Sequence, residues 1–478
     1  MKELQRSCDF LIINPPSPDG YIYIRDVNRS GRRTRERSIW PQNSLAYIAA
    51  VAKTQNYHPN ILDCIASEFG WDDVREYLKK NRPKWVIIEG ISSTITNDVY
   101  AGYLAKRYGA KTVLVGPHIT ALSEQTMEVY PSLDFGILGE VEETIVELVD
   151  AVDHNKDLSC VKGLTYRDNG EIKNTGNREF ISDLNSLPIP LHELLPLEKY
   201  KAPYIGGPYT FVLHSRGCPN ACYFCRQNVM WKSVCRLRNG ESIAEEFKYL
   251  AKLGIKKVMF HSDTFTQDRD NVLEICDCLS RANTGIQWIC NGRVDLVDRQ
   301  ILAAMKQAGC IMVNYGIESG VQKLLDDSNK GKNATIANAR KAVGMTKAAG
   351  IQVWAYFIIG LPGETGDTIK QTRRFARELS ADLVNFSVAT PYPGTPFYKT
   401  AEKNGWLKNI EWEDFDQNYS AVISYPELSD KEIMRGIKKC YMAWYLTPRG
   451  IHTFVKGLTS WENIKTMFRI AIDHLRIA

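Results

Sequence analysis

The chain has 478 residues, 44% hydrophobic and 24% charged, a balance that excludes a disordered, collagen-like or disulfide-scaffold protein. At about 150 residues per domain it has room for roughly three folding units. Sixty Lys and Arg against 55 Asp and Glu leave a net charge of only +5, so no nucleic-acid partner is expected.

The start, Met1–Arg6, mixes acid and base, and the apolar run Phe10–Ile13 is too short for a signal-peptide core. No stretch reaches the roughly 18–20 apolar residues that span a bilayer. Twelve Cys in so long a chain do not make a disulfide framework. These features predict a cytoplasmic, reducing setting and no transmembrane segment.

Cys8 to Ile13 reads as a strand stopped by Asn14-Pro15-Pro16. Ser44 to Thr54 places Leu45, Ile48, Ala49 and Ala52 at helical spacing. Asn60–Leu62, Trp85–Ile88 and Thr112–Val115 follow as strands, with helical segments between them. Repeated βα units predict a parallel, doubly wound α/β sheet over residues 1–152, with ligands at the carboxyl ends of its strands. Residues 153–205 read as a connector that contains short polar strands and the Pro-marked run Leu187–Leu191.

From 206 a second series begins, with strands at Phe211–His214, Lys257–His261, Gln287–Cys290, Met312–Gly316, Val353–Ile359 and Leu383–Val388. Six βα units predict a partial, TIM-like (β/α)6 barrel ending near 400. Residues 401–478 read as a mostly helical region covering the substrate side. Phe454 to Ile477 carries apolar residues at helical intervals. That pattern fits a helix over a core, with contact to a membrane or lipid substrate as a secondary reading.

The strongest local signal is Cys218-Pro219-Asn220-Ala221-Cys222-Tyr223-Phe224-Cys225, directly after a strand. Three thiolates at this spacing can hold three irons of a [4Fe-4S] cluster and leave the fourth open, whereas electron-transfer clusters are usually held by four Cys. Read on spacing alone, a zinc site completed by His214 or Cys235 also remains open.

With its three Cys and an aromatic before the last, this segment resembles the signature of the radical S-adenosylmethionine (SAM) superfamily, and later strand ends match that family in order over about 206–400. His261-Ser262-Asp263-Thr264 is similar to the segment that contacts the SAM amino group. Asn291-Gly292-Arg293 offers a guanidinium that can take the SAM carboxylate bidentately. Gly316-Ile317-Glu318-Ser319-Gly320 supplies an acid for the ribose hydroxyls. Gly360-Leu361-Pro362-Gly363-Glu364 looks like the loop that packs on adenine, with Phe224 as a neighbour through its backbone. Thr390-Pro391-Tyr392-Pro393-Gly394-Thr395-Pro396 resembles the branch that also carries a cobalamin domain.

The N-terminal domain resembles those cobalamin-binding domains, which are Rossmann-like. The resemblance rests on Asn14-Pro15-Pro16, on Gly116-Pro117-His118, and on Gly139-Glu140 at a helix start. Small residues there permit close approach of a large flat ligand. Many such domains carry Asp-x-His-x-x-Gly, whose His ligates cobalt. Here the comparable strand end is Asp63-Cys64-Ile65-Ala66-Ser67-Glu68, so no His ligand is expected from it, and His118 reads as a turn residue.

The resemblance implies an enzyme that uses a [4Fe-4S] cluster held by Cys218, Cys222 and Cys225, SAM and cobalamin. An external electron donor such as flavodoxin or ferredoxin would reduce the cluster. Cleaved SAM would yield a 5′-deoxyadenosyl radical, and methylcobalamin would then methylate an unactivated carbon of a small-molecule, lipid or tetrapyrrole substrate. The rivals are an anaerobic oxidative cyclase of the Mg-protoporphyrin IX monomethyl ester type and a non-catalytic cobalamin-binding sensor. A tRNA-modifying methylthiotransferase would need three further cluster Cys in the first domain, where only Cys8 and Cys64 precede the connector. The run Arg25 to Arg37 holds six Arg against two acids. It reads as a solvated charge run, with an anion-contacting lid as the functional alternative.

Overall fold

The structure, a computed structural model, describes residues 8–27, 31–34, 37–202, 205–408 and 411–457. The chain divides into two compact units, Met1–Arg32 with Ile39–Tyr200, and Arg33–Ser38 with Lys201–Ala478. Beyond Gly457, the helix expected to reach Ile477 lies outside the described residues.

The first unit is built on β1 (Phe10–Asn14), β2 (Pro59–Asp63), β3 (Trp85–Glu89), β4 (Lys111–Val115), β5 (Phe135–Ile137), β6 (Leu164–Asp168) and β7 (Glu171–Asn174), in the sheet order β2-β1-β3-β4-β5-β6-β7. The first five are parallel. β1 and β3 are buried along their whole length, as strands covered on both faces must be, which explains their unbroken apolar runs. The chain leaves β1 for β2 on one side and then crosses to β3 on the other. This places a topological switch point between β1 and β3, where doubly wound sheets bind ligands. The strand ends at that crevice are Asn14 and Glu89.

Residues read as a connector behave differently in the structure. β6 and β7 form an antiparallel hairpin that extends the sheet from β5. Its turn is Asn169-Gly170, both at positive φ (51° and 89°), the conformation that an Asn-Gly hairpin turn favours. The first unit then runs on to Tyr200, whose hydroxyl donates to Asp63 Oδ2 at 2.8 Å.

The second unit holds β8 (Tyr209–Leu213), β9 (Lys257–His261), β10 (Gln287–Gly292), β11 (Cys310–Glu318), β12 (Gln352–Ile359) and β13 (Leu383–Val388), in sequential order and all parallel. β8 and β13 do not pair among the described residues, so the barrel is open, as the six βα units predict. Helices begin where a polar side chain caps the first amides: Asn239, Asp268, Asp298, Thr335 and Thr365 each accept from a backbone N–H three residues on. Such a cap contributes about 1 kcal/mol. Phe260, Phe265 and Trp288 pack with centroids 4.7–5.3 Å apart. A C-terminal helix, Asp430–Tyr445, lies against β13 through Tyr441, which donates to Asn385 Oδ1 at 2.7 Å and meets Phe386 edge-on. Among the described residues, no helix is long and apolar enough to cross a membrane.

Candidate functional site

The segment after β8 is pinched at its base. The His214 amide donates to His261 O at 3.1 Å and the Arg238 amide to His214 O at 2.8 Å. Ser215–Arg216 then pairs antiparallel with Arg236–Leu237. Below this neck Arg238 donates to Leu213 O and forms a buried ion pair with Glu246. Residues 217–235 are therefore a closed excursion at the carboxyl end of the barrel. Gly217 starts it at φ +89°, where an added Cβ would lie 1.7 Å from Val234 O. Its amide donates to Asp263 Oδ2 at 2.8 Å, so the acid expected beside SAM also anchors the cysteine loop.

Within the loop, the Cys225 amide donates to Cys222 O at 3.0 Å, closing a turn. The Tyr223 amide donates to Ser328 O at 2.9 Å, and Asn329 Nδ2 to Ala221 O at 2.9 Å, which ties the loop to the segment after β11. Cys218 Sγ receives Asn220 Nδ2 at 3.2 Å and lies 3.7 Å from Thr264 Oγ1. Burial pushes the Cys222 and Cys225 thiols up, Cys225 to about 12, and the charges of neighbouring triad sulfurs push in the same direction. Lys330 and Arg293 pull Cys222 back down. Among the described residues, no three His, Cys, Asp or Glu converge on a single-ion site. His214 stands apart from the triad: it packs on Phe265 at 4.6 Å with Nε2 2.8 Å from Asn271 Oδ1, and burial lowers its pKa to about 4. Cys235 is the neighbouring thiol, raised to about 11 by burial and then by the Cys218 charge.

The remaining motif residues sit at or just beyond the carboxyl ends of β9 to β12. Asn291 Nδ2 donates to Ser262 O and Asn314 Nδ2 to Asn291 Oδ1, a polar ladder across β9, β10 and β11. Arg293 follows β10, but its fork is already engaged. Nε and Nη2 donate to Asp295 at 3.0 and 2.9 Å, and Nη2 also donates to Lys330 O. The bidentate grip expected for a ligand carboxylate is thus spent on Asp295, and Nη1 is the donor left over. Glu318 sits at φ +68° beside an irregularity in the β11 pairing, a device that re-aims side chains near functional sites. One of its carboxylate oxygens pairs with the buried Lys330. No motif pointed to Lys330, which touches Glu318 with its side chain and Arg293 with its carbonyl. Ser319 is buried, 3.3 Å from Thr372 Oγ1, and accepts from the Val321 amide. Gly360 has φ +96°, its amide donates to Glu364, and its carbonyl accepts from Tyr425 at 2.8 Å. Phe224 is half-buried.

In the first unit, Asn14 donates to Asp63 Oδ1 at 2.8 Å and accepts from Arg25 at 3.0 Å. Arg25 also donates to Pro15 O and forms a fully buried ion pair with Asp98 at 2.7 Å. Neither a solvated charge nor a lid describes this arginine: it is an internal strut. Arg33, from the same run, belongs to the second unit and pairs with Asp416 at 2.9 Å. Glu89, missed in the sequence, ends β3 fully buried with neither carboxyl oxygen hydrogen-bonded. Burial and the nearby Asp26 raise its pKa well above the usual range. Gly116 has φ +116°, and a Cβ there would meet Gly90 O at 2.7 Å. His118 is buried with Nδ1 3.1 Å from Ser92 Oγ. The Gly139 amide donates to Thr120 Oγ1, and Glu140 accepts from the Ile181 amide at 2.8 Å, which gives Glu140 a place in the folding of the later chain.

Two family profiles match the chain. The radical SAM superfamily profile matches residues 212–376, and the B12 binding domain profile matches residues 33–149. An uncharacterized methyltransferase of Pyrococcus horikoshii, PH0819, is 32% identical over 412 residues, covering 86% of this chain and 88% of the relative. The anaerobic magnesium-protoporphyrin IX monomethyl ester cyclase of Rubrivivax gelatinosus is 29% identical over 419 residues, covering 86% and 74%. The structure of the radical SAM methyltransferase TsrM from Kitasatospora setae, with cobalamin and a [4Fe-4S] cluster bound, matches with a TM-score of 0.71 over 98% of each chain at 14% identity, a likeness of fold.

Proposed function

Because the chain belongs to the radical SAM superfamily, in the group that also carries a B12 binding domain, we propose that it methylates an unactivated carbon of a small-molecule, lipid or tetrapyrrole substrate. It is an enzyme of the methyltransferase-like branch, with a [4Fe-4S] cluster, SAM and cobalamin as cofactors. The observation that carries the reading is the single pinched loop bearing Cys218, Cys222 and Cys225, tied by Gly217 to Asp263 at the next strand end. Three thiols at Cys-x3-Cys-x2-Cys spacing suit a cluster with one open iron, and we read Cys235, at the far end of the loop, as a free thiol. When bound, the cluster supplies the electron that splits SAM, and the corrinoid carries the methyl group.

The protein's own share is placement. Asp263 and Thr264 would hold the SAM amino group, Arg293 Nη1 its carboxylate, and Glu318 and Ser319 the ribose. The Gly360 loop and the Phe224 backbone would flank adenine. Lys330 pairs with Glu318 and aims it. In the first unit, Asn14, Pro15, Gly116, His118, Gly139 and Glu140 would border the corrinoid at the carboxyl ends of the strands. The unsatisfied Glu89 at the switch point fits a crevice whose polar groups await a ligand. Asp63 is spent on Asn14 and Tyr200, and no His follows it to ligate cobalt. We place the enzyme in the cytoplasm, with flavodoxin or ferredoxin as electron donor and residues 1–152, 206–400 and 401–478 as its cobalamin, SAM and substrate-covering parts.

Anaerobic purification with cobalamin supplied, followed by absorption spectra and mass analysis of SAM products, tests this reading. Both cofactor spectra and 5′-deoxyadenosine are expected, and Cys222→Ala should lose the cluster spectrum and SAM cleavage. Retention of both by that variant refutes the site. The 29% identity to the Rubrivivax cyclase supports a second reading, oxidative ring formation. A product heavier by one methylene favours methylation, and 5′-deoxyadenosine with an unmethylated product favours the cyclase.

A further inference from the structure

Arg226 follows the last triad cysteine and is only 7% exposed. Its carbonyl accepts from the Val229 amide at 2.9 Å, but its side chain makes no hydrogen bond and no ion pair among the described residues. Nε is sealed from solvent without a partner, and burial is the main influence on the guanidinium, drawing its pKa down to about 10. Its one notable contact is the face of Tyr392, 5.4 Å from the ring centroid. A cation–π contact is far weaker than the penalty for stripping water from a guanidinium, and arginine cannot escape by losing its proton. Three other buried arginines, Arg25, Arg238 and Arg293, each have a carboxylate partner.

Its location gives the missing partner a source. Tyr392 belongs to the Pro-rich loop after β13, the last strand, while Arg226 belongs to the loop after β8, the first. The two loops are laced together: the Phe397 amide donates to Tyr223 O at 3.3 Å, the Tyr223 and Phe397 rings stand 5.4 Å apart, and Gly394 lies against Val229. β8 and β13 do not pair, so this seam closes the barrel mouth beside the cysteine loop.

We propose that Arg226 is an oxyanion receptor: its guanidinium, framed by the β8 and β13 loops, takes a carboxylate or phosphate of the substrate. The arrangement explains why a cation is kept buried without an acid beside it, since a resident carboxylate would compete with the ligand. The substrate class is thereby narrowed to molecules bearing an oxyanion within reach of the barrel mouth. This deepens the proposed reaction and rests on it for the word substrate, but its test needs no turnover.

The test is thermal unfolding and calorimetric titration of the anaerobically reconstituted full chain, with inorganic phosphate as the probe at constant ionic strength. Wild type, Arg226→Lys and Arg226→Met are compared. In chloride, Arg226→Met should melt about 2–4 °C above wild type, because an unpaired buried charge is gone. Phosphate should raise the melting temperature of wild type and leave Arg226→Met unmoved, and it should bind Arg226→Lys about tenfold more weakly, since the fork is lost. Saturating SAM separates the two sources of oxyanion. A phosphate shift that persists with SAM assigns the site to substrate, and one that disappears assigns it to the SAM carboxylate. No phosphate binding by wild type, equal phosphate shifts in wild type and Arg226→Met, or a lower melting temperature for Arg226→Met in chloride overturns the proposal. Absence of SAM cleavage with intact phosphate binding would instead count against the proposed reaction alone.

Discussion

Glu364 offers a sharp test of how the Gly360 loop is held. Its side chain is 2% exposed. One carboxyl oxygen accepts from the Gly360 amide, and the other has no partner. Burial pushes its pKa from 4.5 to about 7, against the smaller opposing pull of the Gly360 and Leu361 amides. A carboxyl raised in the folded state is fully accommodated below its unfolded pKa, and stability declines as pH rises toward the folded value. Above about pH 7 the folded state ionises too and the decline levels off. The difference between about 7 and 4.5, at about 1.4 kcal/mol per pH unit, amounts to about 3 kcal/mol over the full window. Between about pH 5.5 and pH 8 the same relation leaves about 2 kcal/mol. Glu364→Gln keeps the shape and the acceptor for Gly360 but cannot ionise. Urea unfolding, followed by tryptophan fluorescence at several pH values, should show wild type losing about 2 kcal/mol relative to the variant across that range. Parallel pH dependences for the two proteins would refute the burial argument.

Three further outcomes follow from close contacts. Gly217→Ala must place a methyl 1.7 Å from Val234 O at a positive φ. It should destabilise the loop by about 3 kcal/mol or more and lower the iron bound per chain, and a full iron complement at unchanged melting temperature would count against the neck. Gly316→Ala puts a Cβ 2.5 Å from a Glu318 carboxylate oxygen and 3.1 Å from Lys330 Nζ. It should weaken SAM binding by about tenfold in calorimetry, whereas unchanged affinity would remove Glu318 from the SAM site. Arg25→Met leaves Asp98 buried without its cation and should cost about 3–5 kcal/mol. Adding Asp98→Asn should recover part of that loss, and strict additivity of the two would show that the pair is not coupled.

What the sequence made legible was contiguous. The cysteine triad needs only eight consecutive residues to announce itself, and the strands of both sheets are apolar runs set by burial on two faces. The short polar strands β6 and β7 were legible, with Asn169-Gly170 to mark their turn, but not that they extend the first sheet, because edge pairing leaves no apolar run. Long-range pairing left no trace at all. Arg25 finds Asp98 across 73 positions and Arg33 finds Asp416 across 383, so one charge run hides two unrelated struts. Lys330 joins the site from a loop with no motif of its own.

Arg226 and Arg293 make the same point from opposite sides. Both stand beside recognisable motifs, yet what each can bind depends on whether a carboxylate already occupies it. For Arg293 the answer was written nearby, since Asp295 is only two residues on and takes the fork. For Arg226 the answer is an absence, and no local pattern records that a side chain lacks a partner. A buried arginine is therefore informative only after folding, when the presence or lack of a facing acid separates an internal strut from a group held ready for a ligand.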